Sequence, residues 1–281
     1  MIDSFSESEQ EKIINEIKQA GFPLEILTAI TLSKKGWGVR PSLDYLDPIL
    51  SDYRETDIVA YKNSNIPNLF NVLVIECKKS EANPWVFIQQ KRMGNLSENL
   101  NIATLRQDYV YYDRLEETMN DHHYSTVPIC TYSLVPFASK KDPNNRLAKS
   151  IYQAKNQVIS ATARIYDQFE QMHKKYRNSL RFTFIYPIIV FDGRLYSAQI
   201  QGDNVELFEE NHLIFSIERE LSNKRTIGIA PNSQRDQDYK PYFIDVVKKE
   251  HFEQFLDIFE NYYKNIIESF PSCHYDIEQS S

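Results

Sequence analysis

A chain of 281 residues, 42% hydrophobic and 25% charged, is long enough to build its own core without a disulfide or metal staple. A net charge of −7 argues against a protein that coats nucleic acid over its whole surface, yet leaves room for an enzyme with a local cationic groove. Three scattered cysteines make neither a zinc ribbon nor a disulfide framework, and the seven glycines form no phosphate-cradling loop.

The opening MIDSFSESEQ lacks the basic-then-apolar order of a signal peptide, and no apolar run reaches the ~18 residues of a membrane helix. A cytoplasmic protein with no membrane partner is expected. Residues 7–20 place Ile13, Ile14 and Ile17 on one helical stripe that Gly21 stops, and Pro23 opens a second helix closed by Gly36. An irregular strand at 39–48 precedes an alternating strand at 54–62, a turn, and a third strand at 71–79.

Residues 81–146 read as an elaboration inserted into a single domain spanning 1–281, with a helix near 105–119. Residues 147–172 are the clearest helix, with Ile151, Ala154, Val158, Ala161 and Ile165 on one face. A strand at 181–191 is expected to turn at Asp192-Gly193 into a hairpin partner. Strands near 213–219 and 242–247 follow. A closing helix from about 249 carries Phe252, Phe255, Phe259, Tyr262, Ile266 and Phe270 inward. This order implies an α/β (α+β) domain around one mixed sheet flanked by helices.

The third strand, NVLVIECKKS, is apolar up to Ile75 and then becomes charged. Side chains alternate along a strand, so Glu76 and Lys78 share one face while Leu73, Ile75 and Cys77 share the other. If the strands at 54–62 and 71–79 pair as a hairpin, Asp57 converges on Glu76. Two adjacent carboxylates are costly without a cation, and Mg²⁺ is the economical one, because it takes one or two protein carboxylates and fills its remaining positions with water and phosphate. A lysine beside such an ion can orient or help deprotonate water, or stabilise charge growing on phosphorus.

Asp57 followed by Glu76-Cys77-Lys78 resembles the Asp…Glu-x-Lys signature of the PD-(D/E)XK nuclease superfamily, whose members share the restriction-endonuclease-like fold. The resemblance covers residues 22–80 and, more loosely, 147–191. It implies that Asp57, Glu76 and the backbone carbonyl of Cys77 hold Mg²⁺, with Mn²⁺ as a substitute, and that Lys78 serves the nucleophilic water. It further implies a supporting metal- or water-side role for Glu25, in the helix before the first strand. A glutamine or lysine on the helix after the motif strand belongs to the same pattern in some members, and Gln153, Lys155 and Gln157 are the candidates. DNA is the implied partner, with a homodimer and an activating partner protein as further implied associations, and defence as the role expected at family level.

Lys79, Lys91 and Arg92 flank the motif and are candidates for phosphate-backbone contact. The basic run at 173–181 reads as a solvated helix end or a phosphate contact, and His122-His123 as a surface loop. A second Glu-x-Lys, Glu16-Ile17-Lys18, is explained by a solvated helix face, so the tripeptide has weight only through its strand context. For Glu25 an ion pair with Arg40 or Arg54 is the alternative to a role at a metal. Two other functions stay open: a catalytically silent nuclease-like module that binds nucleic acid or protein, and an RNA-directed nuclease.

Overall fold

The computed structural model describes residues 6–47, 52–63, 69–89, 127–136, 146–175, 182–218 and 241–269. Two short helices lead, α1 (Glu7–Gln19) and α2 (Phe22–Lys34), followed by β1 (Gly38–Leu46), β2 (Tyr53–Asn63) and β3 (Leu69–Gln89). Then come β4 (Ile129–Leu134), the long helix α3 (Arg146–Lys175), β5 (Phe182–Gln201), β6 (Asn204–Glu209), β7 (His212–Glu218) and β8 (Pro241–Lys248). A 3₁₀ turn, Lys249–His251, leads into α4 (Phe252–Ser269). Among the described residues, no helix is long and apolar enough to cross a membrane.

Among the described residues, eight strands form one mixed sheet in the order β1-β2-β3-β4-β7-β8-β5-β6, with β3 also pairing β5. β1, β2 and β3 are antiparallel neighbours, whereas β5 runs parallel to β3 from Leu69↔Phe182 to Ile88↔Ala198. Because β3 pairs β4, β4 pairs β7, β7 pairs β8, and β8 pairs β5, the far part of the sheet curls back onto β3. The two longest strands thus belong both to an open sheet and to a closed ring.

Alternation sorts the core into two layers. Val59, Val72 and Val74 pack beneath α3 with its Ile151, Ala154, Val158, Ala161 and Ile165. Ile58, Ala60, Leu73, Ile75 and Cys77 point the other way, toward Leu24 and Leu32 of α2 and Phe252, Phe255 and Phe259 of α4. Each fully buried aliphatic or aromatic side chain here contributes about 1.5–3 kcal/mol. Both faces of the sheet are covered by helices, as parallel pairing requires.

Two expectations change. The third strand does not stop at Lys79: β3 continues to Gln89, so residues 81–89 are part of the sheet rather than of an insertion. Pro84 looks like a breaker but lies where the β3–β5 register shifts between Ser80 and Trp85, a position needing no ladder N–H. Asp192-Gly193 is not a hairpin either, since β5 runs through it and Gly193 pairs with Ser80. A Cβ on Gly193 would lie 2.6 Å from both the Ser80 carbonyl oxygen and the Phe191 ring, so this glycine serves close packing. The hairpin falls ten residues later, where Gly202 has φ 61° and Gln201 pairs Asn204 across a two-residue loop. The helix expected at 105–119, His122-His123, Lys91 and Arg92 lie outside the described residues, as do the side chains of Tyr262, Ile266 and Phe270.

Candidate functional site

The motif strand owes its position to the antiparallel register Ile58↔Ile75 and Val59↔Val74, whose next step sets Asp57 across from Glu76. The ladder ends at that step. The Asp57 carboxylate replaces a backbone acceptor there, with Oδ2 accepting from the Cys77 N–H at 2.6 Å. On the outer side, Ser42 stands opposite Asp57 in the β1–β2 register and adopts φ 51°. A left-handed serine costs on the order of 1 kcal/mol, and here it breaks the regular alternation of β1 beside the acidic residue.

Glu76 is fully buried, and its Oε1 accepts from the Lys78 ammonium two residues on. Its Oε2 is equally buried and has no hydrogen-bond partner. A native carboxylate oxygen in that condition calls for a physical cause. Burial pushes the Glu76 carboxyl up to about 8, with Lys78 pulling down and Asp57 and Glu25 pushing further up. Asp57 is also raised, by burial first, against the relief given by the Cys77 N–H and Lys78. Burial opposes the charge on Lys78, yet the nearby Glu76 and Asp57 carboxylates hold its pKa above the ordinary lysine value. Lys78 is therefore a fixed cation and a poor general base.

Glu25 approaches from the opposite layer. The Cys77 Sγ–H meets Thr28 Oγ1 at 3.8 Å, which seats α2 against β3 one helical turn beyond Glu25. Glu25 is half-buried at the rim rather than enclosed, and its pKa is raised by burial and then by Asp57 and Glu55. The arginines that could have neutralised it are used elsewhere: Arg40 lies over the Tyr61 ring at 5.7 Å, and Arg54 pairs with Asp47 at 3.2 Å. The Cys77 thiol is buried with its pKa well above the usual thiol value, so the side chain is inert and only its backbone faces the carboxylates.

Among the helix candidates, Gln157 is half-buried, and its carbonyl accepts from the Tyr45 hydroxyl at 3.3 Å. Sequence reasoning missed Tyr45. It is buried on β1, and burial, with Asp47 and Glu76 adding to it and Arg54 opposing, takes its pKa to about 12. Its signal was only an aromatic residue within an irregular strand. Gln153 is exposed one turn earlier, and Lys155 is half-buried over the Tyr152 ring. Lys79 lies on the opposite face from Lys78, with Nζ 2.6 Å from Glu81 and donating to the Lys18 carbonyl at the end of α1.

Asp57, Glu76 and Glu25 thus gather three acids around one cation and one bare oxygen, with Asp57 raising the pKa of both glutamates and Glu25 adding to the rise at Glu76. Such a donor set suits a hard divalent ion. Among the described residues, no three His, Cys, Asp or Glu side chains form a ready-made cage, so an ion held here would keep much of its shell as water or phosphate. Compared with known proteins, the chain matches no family model, no curated protein and no solved structure.

Proposed function

We propose that this chain is a metal-dependent phosphodiester hydrolase of the PD-(D/E)XK kind, acting on DNA. The observation that carries the reading is Glu76, a fully buried glutamate with one oxygen on Lys78 and the other bare, set in register against Asp57. A buried unpaired carboxylate oxygen costs at least 1–3 kcal/mol, which a binding role explains and a packing role does not. The order of elements adds support. After α1, a helix bearing Glu25 leads into three antiparallel strands bearing Asp57 and Glu76, and after β4 come a helix and a strand parallel to the third.

Asp57 and Glu76 would hold Mg²⁺, with Glu25 and the Cys77 carbonyl at its margin, and the ion would supply Lewis acidity toward water and phosphate. The chain's own groups do the rest. Lys78 is fixed as an ammonium by Glu76, so it donates hydrogen bonds to the attacking water and to the phosphoryl oxygens as their charge grows. A water oxygen forms the new bond to phosphorus in line with the departing sugar oxygen, and the proton lost by water balances the one gained by the leaving group. Gln157 and Gln153 on α3 would be the candidates to meet an extended phosphate backbone.

The test is cleavage of supercoiled, linear and single-stranded DNA, and of RNA, with Mg²⁺ or Mn²⁺. Wild type is expected to cut DNA, EDTA to stop it, and Lys78→Ala to be strongly impaired. Equal cutting by both proteins would place the activity elsewhere. One observation favours a silent binding module instead, namely the lack of a preformed cage among the described acids. On that reading, Asp57→Asn would bind nucleic acid as wild type does, and neither protein would turn it over.

A further inference from the structure

β1 and β2 run on together past Asp57, and their end is a built polar element. The Asp47 N–H donates to the Asp52 carbonyl at 2.8 Å, and the Tyr53 N–H to Asp52 Oδ1 at 2.8 Å. Across the pair, Asp47 Oδ2 lies 3.2 Å from Arg54 Nε, with the aspartate side chain 2% exposed and the arginine 34%. Such a pair adds little net stability, because desolvation offsets much of the attraction, but it does fix the guanidinium. A guanidinium carries five N–H donors in a planar fork, and one carboxylate takes at most two of them, so at least three lie beyond Asp47. Tyr45 stands opposite Arg54 in the register, and its hydroxyl donates to the Gln157 carbonyl of α3 at 3.3 Å. Burial raises the Tyr45 pKa first, and Asp47, Arg54 and Glu76 each act on it in turn, so the ion pair and the motif glutamate lie within electrostatic reach of one hydroxyl. The neighbouring acidic pair, Asp44↔Glu55, alternates to the other face and is exposed there.

We propose that Arg54 is a phosphate-binding residue of the same site, holding the DNA backbone beside the scissile phosphate. The inference rests on the nuclease reading and gives it a substrate contact. Asp57, Glu76 and Glu25 repel a phosphate chain, and Lys78 is engaged by Glu76, so a cation outside that cluster is needed to hold the adjoining backbone. Arginine suits the task, because its fork matches two phosphate oxygens at once. Asp47 holds that fork before substrate arrives, so less side-chain freedom is lost on binding. Arg54 precedes Asp57 by only three residues of β2, about 10 Å along an extended strand. That spacing sets the guanidinium on a neighbouring phosphate rather than on the one that reacts. Its part is therefore in binding, and its removal should raise KM while leaving kcat close to wild type.

The experiment measures binding of the full chain to a fluorescent DNA duplex in EDTA, which withholds the metal, across roughly 50–200 mM salt. Wild type is compared with Asp47→Asn and with the double substitution Asp47→Asn/Arg54→Gln, and circular dichroism checks that each variant folds. The double variant removes one charge of each sign, so the net charge is unchanged and a change of slope reports a lost phosphate contact rather than weaker overall attraction. Its plot of log K against log salt is expected to be shallower than that of wild type by about 0.9, equally for duplexes of different sequence. Asp47→Asn alone is expected to keep the wild-type slope. In Mg²⁺ the double variant should cut with a severalfold higher KM and a kcat near wild type.

A folded double variant with the wild-type slope would overturn the assignment. So would a loss of slope already complete in Asp47→Asn, which would make this end of the strand pair purely structural. If the double variant does not fold, Arg54→Gln alone decides by the same slope, and where binding in EDTA is too weak to measure, the salt dependence of kcat/KM supplies it. Wild type that binds and cuts DNA beside an unchanged double variant defeats this inference alone. Wild type that neither binds nor cuts DNA defeats the nuclease reading, and the contact with it.

Discussion

Two acids on this sheet, Glu76 fully buried and Glu210 half-buried, invite comparison. Glu210 follows β6 and Glu76 lies in the middle of β3, and burial raises the pKa of both carboxyls. Glu210 ends a finished chain of hydrogen bonds: Gln199 donates to Gln89, Gln89 to the Ser197 hydroxyl, and Ser197 to Glu210 at 2.6 Å. Glu76 has Lys78 on one oxygen and nothing on the other. The first arrangement is satisfied within the chain and reads as structure, as buried polar networks do when every member is paired. The second leaves one carboxylate oxygen without a partner, and that deficit separates a candidate site from a polar element of the core.

Substitutions should separate the two clusters, and the largest difference concerns turnover. Lys78→Ala should lower DNA cleavage by about 10²–10³-fold, the usual loss when one charge-stabilising donor is removed. Ser197→Ala should leave the turnover of folded protein unchanged, and equal losses would erase the distinction. Stability should move in opposite directions. Replacing Glu76 and Lys78 together by methionine removes two poorly compensated charges and should be neutral or stabilising by about 1–4 kcal/mol in denaturant unfolding. Ser197→Ala strips an acceptor from Gln89 and a donor from Glu210, and should cost about 1–3 kcal/mol.

A smaller effect concerns pH. An unfolded chain releases the Glu76 proton near its ordinary value of 4.5, whereas the folded protein keeps it to about 8. Between those limits the folded state binds more protons, so this group's contribution is fully present below the lower limit and is lost as pH rises through the upper one. Thermal unfolding at low ionic strength should therefore show stability falling from pH 5 to pH 8, with a shallower slope in Glu76→Gln. An identical slope in both proteins would show that Glu76 titrates normally.

The site was more legible in the sequence than the sheet around it. Strand periodicity alone set Glu76 and Lys78 on one face, and the hairpin register did the same for Asp57, because strictly local rules govern those residues. Glu25 was placed near them, but its neighbour Phe22 faces solvent rather than the core, since only the Leu24–Thr28–Leu32 stripe of α2 meets the sheet. What failed depended on contacts distant in sequence. The third strand reads as ending at Lys79 until β5, pairing with it as far as Ile88, carries it past Pro84. Gly193 reads as a turn until the Ser80 carbonyl is seen against it. Tyr45 drew no notice because its partner, the Gln157 carbonyl, lies 112 residues away.

The most direct measurement is a Mg²⁺ titration, followed by thermal unfolding, of wild type and Glu76→Gln at pH 8. If the bare Glu76 oxygen is a cation seat, Mg²⁺ should stabilise wild type by about 1–3 kcal/mol at ten- to hundredfold excess over its dissociation constant. The variant should then respond little. An equal response from both proteins, or none from wild type, would contradict the claim that this buried carboxylate is built to hold a metal.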